Sequence, residues 1–293
     1  MRVALTGASG YIGRHVLAEL VRRQQTVAVA ARDTTRIATA TGVSTVSLDL
    51  AAPPHDCFER LGRPEVLIHL AWEGLPNYRS TRHTEVELPR QRAFLRALID
   101  AGLPALLVTG TCLEYGMQGG ALRESLPSDP GTPYAIAKDQ LRRELEGLRA
   151  AHHLALTWAR LFYSYGPGQA ASSLLPQLAA ALARGAERFD MSGGEQLRDY
   201  LPVEEVARLL VALALQRCDA GVLNVCSGKP LRVLDLVRSW LAQRNASIRL
   251  NLGHYPYPDY EPMAFWGERA RLDELLGHEA RAGAFAYNQP NAG

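Results

Sequence analysis

Apolar and polar positions follow two rhythms in the first half of the chain. Short apolar runs over 2–6, 27–31, 43–48, 65–71, 105–110 and 154–162 read as strands, several of them apolar enough to be buried on both faces. Between them, the 3.6-residue spacing over 14–24, 86–101 and 134–150 predicts amphipathic helices. Alternation of this kind builds a doubly wound α/β domain with about six or seven parallel strands. Beyond Phe162 the rhythm loosens. Helices are predicted near 173–184, 203–216 and 232–243, separated by Gly-, Pro- and aromatic-rich loops at 166–173 and 255–262. The pattern divides the chain into a Rossmann-type domain over 1–163 and a smaller substrate lobe over 164–293, with 200–226 a candidate for returning to the first domain.

Gly7, Gly10 and Gly13 follow the first strand directly and open its helix. The first permits a tight turn, the second lets backbone approach a pyrophosphate, and the third lets the helix pack closely on the strand. G-x-x-G-x-x-G alone is weak evidence. Its position between strand and helix makes it a dinucleotide-binding signature. Far down the chain, Tyr134 and Lys138 lie four apart on a predicted helix and share a face. A nearby ammonium, together with the positive edge of a bound nicotinamide, is expected to lower the phenol pKa toward the range of a general acid or base. Thr111, at the carboxyl end of the fifth predicted strand, can donate to a carbonyl oxygen. Ligands bind at that edge of a doubly wound sheet, so Thr111, Tyr134 and Lys138 form a carbonyl-reducing constellation.

Composition narrows the partners. The 293 residues are 47% hydrophobic with a net charge of +2, enough for a sizeable core and no basis for a nucleic-acid or membrane partner. Neither a leader nor a membrane span is visible, so a cytoplasmic location is expected. Cys57, Cys112, Cys218 and Cys226 form no C-x-x-C pair, against a zinc site or disulfide scaffold.

GASGYIG at 7–13, LDL with Asp49, IHLAW at 68–72, VTGTCLEYG at 108–116, YAIAK at 134–138, ARLFYSYGPGQ at 159–169 and RDYLPVEEVA at 198–207 resemble the extended short-chain dehydrogenases/reductases, the epimerase/dehydratase type acting on nucleotide sugars. The resemblance spans nearly the whole chain. It implies that Asp49 contacts the adenine, that Tyr11, Ile12, Leu50, His69, Leu70, Ala71 and Trp72 line the cofactor, and that Arg198 reaches the substrate diphosphate. Dehydratases of this type carry an Asp-Glu pair directly after the catalytic Thr. Here Cys112 and Leu113 stand there, which argues against dehydration; Glu114 lies one position on and Cys112 could pack against the sugar. Tyr163 replaces the usual Asn.

A narrower resemblance, in HLAWEGLPNYRS at 69–80, TGTCLEYGMQGG at 109–120 and PYPDYEPMAFWG at 256–267, is to 4-ketoreductases of dTDP-4-dehydro-6-deoxyhexoses, including dTDP-D-fucose-forming reductases of polysaccharide or glycoside biosynthesis. It implies hydride transfer to C4 with Tyr134 as proton donor, and places Trp72, Asn77, Tyr78, Arg79, Cys112, Glu114, Tyr163, Arg198, Tyr260 and Glu261 around the sugar nucleotide. The alternatives are a C4 epimerase with tightly bound NAD and a non-catalytic dinucleotide sensor.

The second strand ends Ala31-Arg32, without the carboxylate that would take both ribose hydroxyls. This favours NADP(H) over NAD(H), with Asp33 as the counter-signal. Phe94, Leu95, Leu98, Ile99, Leu141, Leu145 and Leu148 on helices 86–101 and 134–150 predict a homodimer formed by pairing these helices.

Overall fold

The computed structural model describes residues 1–277 and 279. Its centre is a parallel seven-stranded sheet ordered Gly221–Val225, Ala155–Leu161, Ala105–Thr111, Val66–His69, Arg2–Thr6, Thr26–Ala31, Val43–Ser47. The chain runs outward from Arg2–Thr6 through the two strands on one side, then crosses back to Val66–His69 on the other. That reversal opens a crevice at the carboxyl ends of Arg2–Thr6 and Val66–His69. The seventh strand comes from the second half of the chain. The predicted strand over 65–71 stops at His69, because Leu70 to Trp72 leave the sheet to line the crevice.

Two apolar layers cover the sheet. Tyr11–Arg22 and Val203–Gln216 pack on one face around Val16, Leu20, Leu209 and Leu213. Leu88–Asp100 and Pro133–His152 cover the other through Phe94, Leu95, Leu98, Ile99, Leu141 and Leu145. Pro89 sits in the first turn of its helix, where its missing N–H costs nothing. These apolar side chains, expected at a subunit interface, are committed to their own sheet, with Leu148 partly buried against them. The outer faces carry ion pairs instead, such as Arg92 with Glu144 and Arg96 with Asp100.

The C-terminal lobe contains the expected helices Leu174–Ala183 and Val233–Ala242, and short strands that periodicity could not reveal. Tyr163–Tyr165, Leu197–Pro202 and Pro230–Arg232 form one small sheet, Arg188–Asp190 and Arg249–Asn251 a second. Phe265–Gly267 pairs with Gly120–Leu122 and so ties the late chain to the loop after the strand Ala105–Thr111. Among the described residues no helix is long and apolar enough to cross a membrane.

Candidate active site

Two cavities meet at the sheet crevice. The first, about 510 Å³, is lined by Gly7, Gly10, the end of the second strand, Asp49, Leu50, Leu70, Ala71 and Trp72. The second, about 630 Å³, shares Gly7, Gly10, Leu70 and Trp72 and continues past Tyr11, Ile12 and Gly13 to Thr111, Tyr134, Lys138, Tyr163 and the lobe. Trp72 is a wall of both.

The glycine turn fits a dinucleotide by its own geometry. Gly7 has φ of +75°, and a Cβ there would stand 2.8 Å from the Ala71 nitrogen. A Cβ on Gly13 would fall 2.0 Å from the Gly7 carbonyl oxygen. The helix N-terminus therefore lies directly against the turn, and a helix N-terminus is the end that favours an anion. His69, expected to line the cofactor, lies behind it: buried, its ring bonds Thr6 Oγ1 at 2.9 Å and Gln91 Oε1 at 2.8 Å, and desolvation holds its pKa down at about 3.

At the mouth of the first cavity Arg32 is exposed and paired with Glu73. Asp33 is spent locally, accepting from the Thr35 amide at 3.1 Å and the Thr35 hydroxyl at 2.5 Å as the N-cap of a short turn. Arg36 and Arg90 also line this cavity, a concentration of guanidinium groups that the sequence alone did not bring together. Asp49 lines it too, while its carboxylate accepts the Ala51 amide at 3.0 Å.

Thr111, Tyr134 and Lys138 converge on the second cavity. Thr132 caps the helix Pro133–His152 by accepting the Ala135 amide, which sets Tyr134 and Lys138 on its first turns facing the sheet edge. Lys138 Nζ donates to the Thr109 carbonyl at 2.8 Å and stands 4.0 Å from the centre of the Trp72 ring, but 5.9 Å from that of Tyr134. The expected lowering of the tyrosine pKa by the lysine is therefore absent. Burial instead raises Tyr134, with further contributions from Tyr78, Glu114 and Cys112, and desolvation lowers Lys138 to about 7.

Aromatic rings enclose Tyr134. Tyr78 lies 5.5 Å away, Trp72 5.9 Å and His83 5.2 Å, and Tyr260 backs Tyr78 at 5.9 Å. Burial pushes Tyr78 up to about 12. Cys112 lines the cavity with its thiol pKa raised chiefly by burial, the opposite of an activated nucleophile.

Six expected sugar-nucleotide contacts line neither cavity, among them Tyr260, which sits behind Tyr78. Glu114 is fully buried behind the site, accepting the Thr111 amide at 2.9 Å, the Trp158 indole N–H at 3.0 Å and Arg160 Nε at 2.7 Å. Its spacing from Thr111 is a capping box, the sequence signal that identifies this role. Arg198 is 2% exposed, pairs with Glu261 at 2.7 Å, donates to the Leu197 and Met263 carbonyls and stacks on Phe265 at 4.5 Å. Glu261 also accepts from Tyr163, which does line the cavity. Asn77 and Arg79 line neither cavity; Arg79 pairs with Asp259 beside Tyr260. Leu75, Pro76, Ser164, Gln169, Ser173 and Tyr200 also line the second cavity, although the sequence reading singled out none of them as a site residue.

Fold and site together define a dinucleotide-dependent enzyme with a Tyr/Lys centre beside a glycine-turn cradle. The chain belongs to the NAD dependent epimerase/dehydratase family, whose model matches residues 3–226. It is an oxidoreductase-type, nucleotide-sugar-modifying enzyme of that NAD(P)-using family. It is 27% identical over 92% of its length to the whole dTDP-6-deoxy-L-talose 4-dehydrogenase (NAD(+)) of Aggregatibacter actinomycetemcomitans. GDP-6-deoxy-D-mannose reductase of Pseudomonas aeruginosa is 28% identical, over 94% of this chain and 91% of that one. The solved structure of MoeE5 in complex with UDP-glucose and NAD superposes with a TM-score of 0.78 at 26% identity, covering 94% of this chain and 92% of that one.

Proposed function

We propose that the protein is an NADPH-dependent 4-ketoreductase of a nucleotide-activated 4-dehydro-6-deoxyhexose, with dTDP as the favoured nucleotide. The convergence of Thr111, Tyr134 and Lys138 on one cavity, continuous with the glycine cradle, carries the reading. Among the described residues Lys138 is the one charged side chain lining that second cavity, which suits a sugar without a carboxylate. Two relatives are named for oxidation or reduction of 6-deoxy sugars.

Residues 1–163 hold the cofactor in this reading, and the lobe over 164–293 holds the sugar. The glycine turn takes the pyrophosphate, Asp49 and Leu50 face the adenosine, and Arg32 meets the 2′-phosphate after exchanging its exposed pair with Glu73. Bound NADPH supplies the hydride. Tyr134 gives its phenolic proton to the carbonyl oxygen, and its raised pKa keeps the phenol protonated at working pH, as a donor requires. Thr111 orients that oxygen through its hydroxyl. Lys138 holds the nicotinamide ribose.

Consumption of NADPH and NADH with a panel of 4-keto nucleotide sugars tests the proposal. Turnover with a dTDP-4-dehydro-6-deoxyhexose is expected, and no turnover with any 4-keto sugar would overturn it. The second reading, a C4 epimerase, predicts NAD released on denaturing the purified protein. A cytoplasmic homodimer completes the proposal; with the apolar faces committed to the sheet, the subunits would meet through the ion-paired outer faces of Leu88–Asp100 and Pro133–His152.

A further inference from the structure

His83 is fully buried although the sequence gives it no motif. It opens a five-residue π-turn, His83–Glu87, that leads into the helix Leu88–Asp100. Such turns interrupt regular helical bonding and are enriched at functional positions. Both ring nitrogens are used. The Trp72 indole N–H donates to Nδ1 at 3.0 Å, and Nε2 bonds the Asn77 carbonyl oxygen at 2.8 Å. A carbonyl only accepts and an indole N–H only donates, so the ring is held as the neutral Nε2–H tautomer.

These bonds reach the reacting pair. The imidazole lies beside the Trp72 indole, the ring centres 6.3 Å apart and the planes 28° apart, and meets the Tyr134 ring edge-on at 5.2 Å. The same indole meets Lys138, whose Nζ lies 4.0 Å from the ring centre. Gly74, with φ of +86°, brings the loop against the imidazole so closely that a Cβ there would stand 3.1 Å from Cε1. One side chain thus touches the loop over 72–77, the indole and the phenol.

We propose that His83 is a positioning residue: it fixes the Trp72 indole against the Lys138 ammonium and seats the loop around the Tyr134 ring. The role rests on the reading of Tyr134 and Lys138 as the reacting pair. With the two bonds gone, the indole is free to turn and the ammonium loses its cation–π partner. The charged groups acting on Lys138 from neighbouring elements, Glu114 and Glu87, stay in place, as does buried His69.

The test compares His83→Phe, which keeps a ring without its bonds, with His83→Gln, whose amide can accept from the indole and donate to the Asn77 carbonyl. Lys138 and Lys229 are the only lysines in the sequence, so protein labelled with ¹³C at lysine Cε reports Lys138 as one of two resonances, assigned by Lys229→Arg. In folded H83F, kcat should fall at least about tenfold and the Lys138 titration midpoint should move to lower pH, because the charged form has lost stabilisation. H83Q should recover both to within about threefold of wild type. Trp72→Phe removes the shared N–H from the other side, and the double variant H83F with W72F should be no worse than the poorer single, the mark of one interaction.

If H83F does not fold, W72F and H83Q carry the test by the same two readouts. A folded H83F or W72F with an unmoved lysine midpoint and kcat within twofold of wild type would overturn the proposal. So would additive losses in the double variant. Wild-type protein that fails to bind NADPH or NADH in a fluorescence titration would instead sink the functional reading, and the lysine resonance would still decide whether His83 sets the environment of Lys138.

Discussion

Arg198 and Glu261 form an ion pair sealed from solvent, Nη2 to Oε1 at 2.7 Å, with 3% and 7% of their side chains exposed. Sixty-odd residues of chain separate the partners, and the pair pins the segment carrying Tyr260 to the small sheet of the lobe. A guanidinium held this way is unavailable to a diphosphate unless the carboxylate moves.

Removing one partner should therefore be read first in stability. Glu261→Ala leaves a buried guanidinium uncompensated, a change that costs about 3–5 kcal/mol. At roughly 2–4 °C per kcal/mol, the melting temperature should drop by about 6–20 °C. A drop below about 2 °C in calorimetry would mean that the arginine finds water or another acceptor.

Tyr134→Phe keeps the ring among Tyr78, Trp72 and His83 and removes the proposed proton donor. Turnover of the keto-sugar should fall about 10²- to 10⁴-fold while NADPH binding survives. Near-normal turnover would exclude Tyr134 as the acid.

Lys138 gives a pH dependence of definite sign. Its folded pKa of about 7 lies below its ordinary value of 10.5 because burial penalises the ammonium. Between those values the unfolded chain binds the extra proton, so this group makes stability rise with pH from about 7 toward 10, and it adds nothing further below 7. Lys138→Met should flatten that rise and raise the melting temperature near pH 6, although it removes the group proposed to hold the nicotinamide ribose. An unchanged pH profile of melting would show that the lysine is charged throughout.

Arg32→Ala tests cofactor choice. A charge-assisted contact contributes about 1.5–3 kcal/mol, so any preference for NADPH over NADH should shrink roughly ten- to a hundredfold, mainly through KM for NADPH. The pair with Glu73 competes for the same guanidinium, so Glu73→Gln should sharpen the preference. Wild-type enzyme that works as well with NADH would leave Arg32 as a surface ion pair.

The doubly wound sheet was readable because buried parallel strands and amphipathic helices have different periods, and Gly7, Gly10 and Gly13 stood where those periods meet. Tyr134 and Lys138 were readable because four residues make a helical face. The environment of the site was not. Glu87 and Arg90 reach the crevice, and His83 packs behind Trp72 and Tyr134, because of a π-turn that no spacing rule announces, and Arg198 meets Glu261 across a separation that only the folded lobe closes. The lysine–tyrosine distance shows the limit of helical reasoning: a shared face put both side chains in one cavity, while the Thr109 carbonyl and the Trp72 ring decided where the ammonium went.

Glu114 accepts the Thr111 amide on one oxygen and the Arg160 guanidinium on the other, with the Trp158 indole N–H between the two, and both of these last partners come from the strand Ala155–Leu161. The reaction centre thus has its foundation in the middle of the sheet. Damage at Trp158, well behind the cavity wall, should surface in an activity screen as a fault of Thr111, and a map of sensitive positions would draw the active site deeper than any substrate can reach.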